Sequence, residues 1–372
     1  MTRFIVYPAV LPLFFVLCVG SVFAAEFPGL ITREFIYETA EFPSCHASTL
    51  VENAEGRIVA AWFGGLDEGD PSVGIWVSTR DAGGRWSAPI EVANGVQYRR
   101  PDGTTLRYPC WNPVLVRNSA GVLYLYYKCG PSPRAWWGML TRSEDGGKSW
   151  SQPCRLPEGI LGPVRNKPIY LPGGALLCGS STEHDGWRVH FELTPDDGRS
   201  WTLVGPIDAG VERGAIQPTL LPHSDGRIQA LCRDQNGQGH ILESWSEDQG
   251  RSWSALKRLS LPNPNSGIDG VSLADGRFLL VYNHTVRGGK SPQGREMLNL
   301  AISPNGSDWQ AVAELENSVG GEFSYPAVIQ TADGRVHITY TWHRERIRYL
   351  VVDPAKLTSL GSADEVWGRS GE

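Results

Sequence analysis

Six polar side chains occupy the same place in six similar stretches of this 372-residue sequence. They are His46 in HASTLVE, Asn112 in NPVLVRN, Lys167 in KPIYLPG, Gln217 in QPTLLPH, Asp269 in DGVSLAD and Tyr325 in YPAVIQT. Each precedes a small or ring residue: Ala47, Pro113, Pro168, Pro218, Gly270 and Pro326. An ordinary core position would carry Val, Leu or Ile. Imidazole, ammonium, carboxylate and phenol can hold or pass protons, whereas the amides of Asn112 and Gln217 can only donate and accept hydrogen bonds. Brought together, the six would line either a hydrogen-bonded, water-filled channel or a site for proton transfer and polar-ligand binding. Lys128, Arg233-Asp234, His284 and His343-Arg344 fall later in the same units. The loops LDEGDPS (66–72), TEHDG (182–186) and RGGKSPQGR (287–295) add Glu68, Asp70 and Arg295.

The elements that must position these residues are repeated strands. After each stretch comes a turn and an apolar run: EGRIVAAWFG (55–64), AGVLYLYYK (120–128), GGALLCGSS (173–181), DGRIQALCRD (225–234), DGRFLLVYNH (275–284) and DGRVHITYTW (333–342). Glycine supplies the positive φ that a tight turn needs, and β-branched and aromatic residues favour strand. A third apolar run follows in every unit, from VGIWVST (73–79) to IRYLVVD (347–353). Three strands per unit, with a fourth before the next unit, describe propeller blades. In a blade the first strand lies nearest the axis, so the six polar positions are expected to form a ring at one mouth. The second strands and the three loops should end at that mouth.

A further signature follows the third strand: STRDAGGRW (78–86), SEDGGKSW (143–150), TPDDGRSW (194–201), SEDQGRSW (246–253) and SPNGSDW (303–309). Ser, Thr and Asp can bond local amides, Gly permits the turn, and Trp packs. These copies resemble the Asp-boxes of the sialidase (neuraminidase) superfamily, although the first is one residue long and the last one short, with Asn305 for Asp. With the six-fold pattern, the resemblance spans residues 40–355. It implies an all-β fold, a sialidase-like six-bladed β-propeller with Asp-box turns, and carries less weight for activity.

The same resemblance implies roles for particular residues. Tyr325 takes the place of the family's nucleophilic Tyr on the inner strand of a late blade. Arg233, ending DGRIQALCRD, and Arg295, in GREMLNLAIS, match carboxylate-binding arginines. Three positions depart from the pattern. The stretch around His46 replaces the first arginine, Gln217 stands for the glutamate that assists the Tyr, and Asn112 stands for the acid Asp. A phenol of ordinary pKa ~10 needs its proton removed or its anion stabilised. Lys167 could lower that pKa, His46, Asp269 or Glu322 could act as base, and Glu68 or Asp70 could donate a proton to a leaving oxygen. Arg344 joins the candidate substrate-binding set with Lys167, Asn112 and Gln217.

Three functions remain open. One is a retaining exo-glycosidase on an acidic sugar, either sialic acid or a uronate. Another is a uronate lyase, in which a neutralised carboxylate acidifies the α-proton for His46 or Tyr325 to abstract. The third is a glycan-binding propeller without chemistry, with Trp62, Trp111, Trp136, Trp137 and Trp342 as stacking candidates. A net charge of -6 argues against nucleic-acid binding. No metal or nucleotide motif occurs, so no cofactor is expected.

Arg3, the apolar run Ile5 to Val22, and Val22-Phe23-Ala24 read as a leader over residues 1–24 cleaved before Ala25. The expected mature chain, 25–372, is one domain, exported to the periplasm or medium, monomeric, and without a lasting membrane span. Its six cysteines permit disulfides there. Asn283-His284-Thr285 and Asn305-Gly306-Ser307 fit the glycosylation sequon.

Overall fold

A computed structural model describes residues 26–207, 214–235, 239–288 and 290–368. The expected leader, with its cleavage point before Ala25, lies outside the described residues. Strands pair antiparallel in chain order within each blade. Blade 1 comprises Ser44–Glu52, Ile58–Gly65, Gly74–Thr79 and Ile90–Ala93; blade 2 comprises Cys110–Arg117, Leu123–Cys129, Trp137–Ser143 and Cys154–Arg155. Blade 3 runs from Ile169–Tyr170 to Thr202–Val204, and blade 4 from Ala215–Pro222 to Lys257–Pro262. Blade 5 begins with Asp269–Ser272 and carries Gly361–Ser362 as a fifth strand. Blade 6 begins with Phe323–Gln330, and its outermost strand, Leu30–Phe35, comes from the opposite end of the chain. That strand pairs Arg33 with Leu350 and Glu34 with Tyr349, so the ring of six blades is closed by hydrogen bonds rather than by a covalent link. The six-bladed expectation holds.

Apolar residues on alternate strand positions fill the spaces between blades. Leu279 and Leu300 of blade 5 pack against Val336, Ile338 and Leu350 of blade 6, all fully buried or nearly so. Val59 and Phe63 of blade 1 meet Leu123 and Leu125 of blade 2 in the same way. Each such side chain contributes roughly 1.5–3 kcal/mol on burial, so the walls around the axis are rigid. The described cysteines are free thiols, with five buried and Cys154 exposed. Asn283 is fully buried, which rules out the first glycosylation sequon as an acceptor in the folded chain. Among the described residues no helix is long and apolar enough to cross a membrane.

The Asp-box turns repeat one local solution. Asp145 Oδ1 accepts from the Lys148 and Ser149 amides at 3.0 and 2.9 Å, Ser143 Oγ accepts from the Gly147 amide at 2.9 Å, and Trp150 Nε1 donates to Gly147 O at 3.2 Å. Asp196 and Asp248 make the equivalent bonds. Bonding to Ser149 holds the Asp145 carboxyl down at about 2. In the last copy Asn305 Oδ1 accepts from the Ser307 and Asp308 amides, so the amide oxygen replaces the carboxylate.

The inner strands carry a second repeated device. In blades 1, 2, 4 and 6 the ladder slips between His46 and Thr49, Trp111 and Val114, Ile216 and Thr219, and Ser324 and Ala327. At each slip one non-glycine residue takes positive φ: Ala47 at 55°, Asn112 at 40°, Gln217 at 56° and Tyr325 at 52°. A bulge of this kind re-aims a side chain out of the strand's alternation. Left-handed backbone at such residues costs about 1–3 kcal/mol each and persists only where the surroundings enforce it.

Candidate functional site

The bulges carry some of the residues expected in the ring and leave others out of register. Asn112, Gln217 and Tyr325 share the left-handed position, but in blade 1 that position belongs to Ala47, so His46 is one residue out of register. In blade 3 the positive-φ residue is Arg165, at 84°, two residues before Lys167. The X-Pro dipeptide marks the bulge in blades 2, 4 and 6, and in blade 3 it points to the wrong residue.

Tyr325 lies at the centre and is 7% exposed. Its hydroxyl accepts a hydrogen bond from Arg233 Nη1 at 2.6 Å and a longer one from Gln217 Nε2 at 3.5 Å. The guanidinium carbons of Arg165, Arg233 and Arg295 lie 5.1, 5.7 and 5.3 Å from the centre of its ring. Burial alone would raise the phenol's pKa, but Arg233 and then Arg295 outweigh it, and the net direction is downward. The phenolate is therefore stabilised by cations, which answers the chemical question raised by Gln217 in place of a carboxylate.

Each arginine is held by the fold. Arg233 is the penultimate residue of the strand Ile228–Asp234, donates Nε to Asn265 Oδ1 at 2.7 Å and lies over the Trp187 ring at 5.0 Å. Arg295 Nη1 and Arg344 Nε both donate to Glu322 Oε1, at 2.9 and 2.8 Å, and Arg344 also pairs with Glu68. Arg165 donates Nη2 to the carbonyl of Pro326, beside Tyr325, while its Nε and Nη1 are buried without a protein partner. Burial and four arginines, Arg344, Arg295, Arg165 and Arg233, all push the His46 imidazole well below its usual range, so it is neutral. His46 Nδ1 pairs with Thr341 Oγ1 at 2.9 Å, Nε2 has no protein partner, and its ring centre is 4.1 Å from that of Tyr325.

Several expected roles do not survive this geometry. Lys167 and Asp269 pair with each other at 2.9 Å. Asp269 also accepts from Asn166 at 2.9 Å, Thr219 at 2.7 Å and the Val328 amide at 2.8 Å, which knots blades 3 to 6 together. Burial opposes its charge, but Lys167 and Arg165 keep its pKa low, so Asp269 is a filled structural carboxylate and not a base. Lys167 is likewise committed to Asp269 and the Gly270 carbonyl rather than to the phenol. The Ser72 side chain, and then its amide, which donates to Asp70 Oδ1 at 2.7 Å, lower the Asp70 pKa and disfavour an acid role. Glu68 is tied to Arg344, which disfavours the same role. Glu322 serves as the shared acceptor of Arg295 and Arg344 and is held ionised by them against burial. Trp62 and Trp111 are buried, which leaves Trp136, Trp137 and Trp342 partly open.

Two expected mouth residues sit below or away from it. Lys128 is fully buried and donates to Pro163 O at 2.7 Å, while Glu192 accepts from the Leu161 and Gly162 amides at 3.0 and 2.6 Å. Together they brace the segment that delivers Arg165. His284 turns to Tyr282 Oη at 2.6 Å and to Gly368 O. Arg165, Asn265, Trp187 and Glu183 escaped the sequence reading. Glu183 lay within the TEHDG loop already placed over the mouth, and Arg165 stood two residues before the expected ring position. Asn265 and Trp187 gave no comparable signal. Among the described residues no group of three or more His, Cys, Asp or Glu is placed to hold a metal ion.

Comparison with known proteins agrees with this architecture. A family model described as a BNR repeat-like domain matches residues 56–338. A solved structure of a protein of unknown function from Dyadobacter fermentans superposes with a TM-score of 0.68 at 17% identity, covering 88% of this chain and 99% of that one. The Hadza microbial sialidase Hz136 gives 0.70 at 16% identity over 85% of this chain and 66% of its own length, so this chain spans just under two thirds of it. The intramolecular trans-sialidase from Ruminococcus gnavus, solved with oseltamivir carboxylate, gives 0.68 at 13% identity over 88% and 99% of the two chains. At these identities the likeness is one of fold.

Proposed function

Since the chain belongs to the BNR repeat-like domain family and folds as the sialidases do, we propose that it is a retaining exo-glycosidase that releases an acidic sugar, with Tyr325 as nucleophile. The observation that carries this assignment is the 2.6 Å bond from Arg233 to the Tyr325 hydroxyl inside a cluster of arginines. A buried phenol surrounded by hydrophobic groups would be inert, whereas one whose anion is stabilised by fixed guanidinium groups is an activated nucleophile. Arg233 and Arg295 also offer planar, forked donors suited to a substrate carboxylate. The carboxylate would add a negative charge beside the phenolate, and the partnerless Nε and Nη1 of Arg165 supply further positive charge for both.

His46 supports a second reading. It is neutral, buried and has a partnerless Nε2 beside Tyr325, as a base that abstracts an α-proton from a uronate would be. Incubation of residues 25–372 with sialosides and uronate glycosides, with Tyr325→Phe in parallel, separates the two. Release of an intact acidic sugar, abolished by the substitution, is the expected result. An unsaturated product absorbing in the ultraviolet would establish the lyase instead, and retained binding without turnover would leave a glycan-binding propeller.

A further inference from the structure

Glu183 stands where the axial cluster meets a neighbouring hollow. It follows directly on the strand Leu176–Thr182 of blade 3, so the sheet positions its backbone. On one side it lines a cleft between blades 2 and 3 with Arg134, Trp136, Trp137 and Ile160. On the other side Trp187 and Arg233 both act on its carboxyl group, and the Trp187 indole lies 5.0 Å under the Arg233 guanidinium. Arg233 in turn bonds Tyr325. Glu183 is thus the carboxyl group shared by the cleft and the arginine cluster.

We propose that this cleft is the leaving-group subsite for the sugar that follows the scissile bond, and that Glu183 is the proton donor to its glycosidic oxygen. The proposal rests on the glycosidase reading above. In the first half-reaction the Tyr325 phenolate oxygen bonds the anomeric carbon as the carbon–oxygen bond to the leaving sugar breaks. The carboxyl proton of Glu183 passes to the departing oxygen. In the second, water attacks the anomeric carbon, gives its proton back to the Glu183 carboxylate, and the bond to Tyr325 breaks to restore the phenolate. The sum is hydrolysis, and no other reactant is needed.

The surroundings of Glu183 suit a donor. Burial raises its pKa, Arg233, Arg134 and Trp187 oppose the rise without cancelling it, and Glu68 adds to it. His184, Arg155 and Glu158 are the remaining titratable groups along the cleft. Arg155 lies 4.9 Å over the Trp137 ring and occupies one face of it, which leaves Trp136 as the surface for a sugar. By contrast Asp70 is lowered by its turn bonds and Glu68 is paired with Arg344.

The test uses Glu183→Gln, which keeps size and hydrogen bonding, on two kinds of substrate. Sialyllactose and a glucuronate disaccharide carry poor leaving groups, while nitrophenyl sialoside and nitrophenyl glucuronide carry one that leaves without a proton. Turnover of the disaccharide should fall by about 10²–10⁴-fold, with the nitrophenyl glycoside affected far less and the alkaline limb of kcat/KM lost. Trp136→Ala should raise KM for the disaccharide only. Equal loss on both substrates, or no loss on either, overturns the role of Glu183 and leaves the glycosidase assignment standing. A wild-type protein inert on every one of these substrates overturns both together.

Discussion

The two ends of a blade solve opposite problems. At the Asp-box turns, Asp145, Asp196 and Asp248 make the same short-range bonds in three blades, and Asn305 makes them in a fourth. At the axial ends of the inner strands, equivalent bulges hold Ala47, Asn112, Gln217 and Tyr325, no two alike. The turns are local, solvent-facing and interchangeable. The axial residues are buried, strained, and bonded across the ring, as Arg233 is to Tyr325, 92 positions away. Repetition thus marks what builds the propeller, and departure from repetition marks the candidate site.

Substitutions at the two ends should differ in kind. The largest effect is expected for Tyr325→Phe, which removes the proposed nucleophile and should cut turnover on the order of 10³-fold or more with the fold intact by circular dichroism. Arg233→Met should cost about 10²–10³ in kcat, the loss seen when one preorganised donor is removed. It should also move the acidic limb of the pH profile upward. The sign follows from the phenol: Arg233 lowers the Tyr325 pKa, so without it the phenolate appears only at higher pH.

Lys128→Met probes the brace beneath the site by the pH dependence of stability. Burial depresses Lys128 from 10.5 to about 7. Between those values the unfolded chain binds the proton that the folded chain has lost, so this residue makes stability rise with pH from about 7 toward 10.5. Denaturant midpoints across that window should rise less steeply in the variant; an unchanged slope would contradict the assignment. The smallest effect is expected for Asp145→Ala, a loss of about 1 kcal/mol with kcat unchanged. If Asp145→Ala lost activity as Tyr325→Phe does, the division between building and reacting residues would fail.

The sequence made the propeller legible because each blade repeats it locally, through turn glycines, alternating strands and the Asp-box turns. Closure by Leu30–Phe35 was not legible, since strand pairing across the whole chain leaves no local pattern. At the site, Tyr325, Gln217 and Asn112 were found from the residue before proline, which is the bulge itself. His46 and Lys167 were misplaced by one and two positions because blade 1 has Ser48 where a proline would sit and blade 3 takes its positive φ earlier, at Arg165. Asp269 looked like a base because its partners Lys167, Thr219 and Val328 come from other blades. Arg233, Arg295 and Arg344 were identified, but that Glu322 joins two of them required the fold.

The most direct test of the central claim is covalent trapping by a fluorinated acidic glycosyl donor of the sugar that the protein releases, read by intact mass and peptide mapping. A single glycosyl adduct is expected on the peptide carrying Tyr325, absent in Tyr325→Phe. Turnover of the parent glycoside with no adduct, or an adduct on another residue, would contradict it.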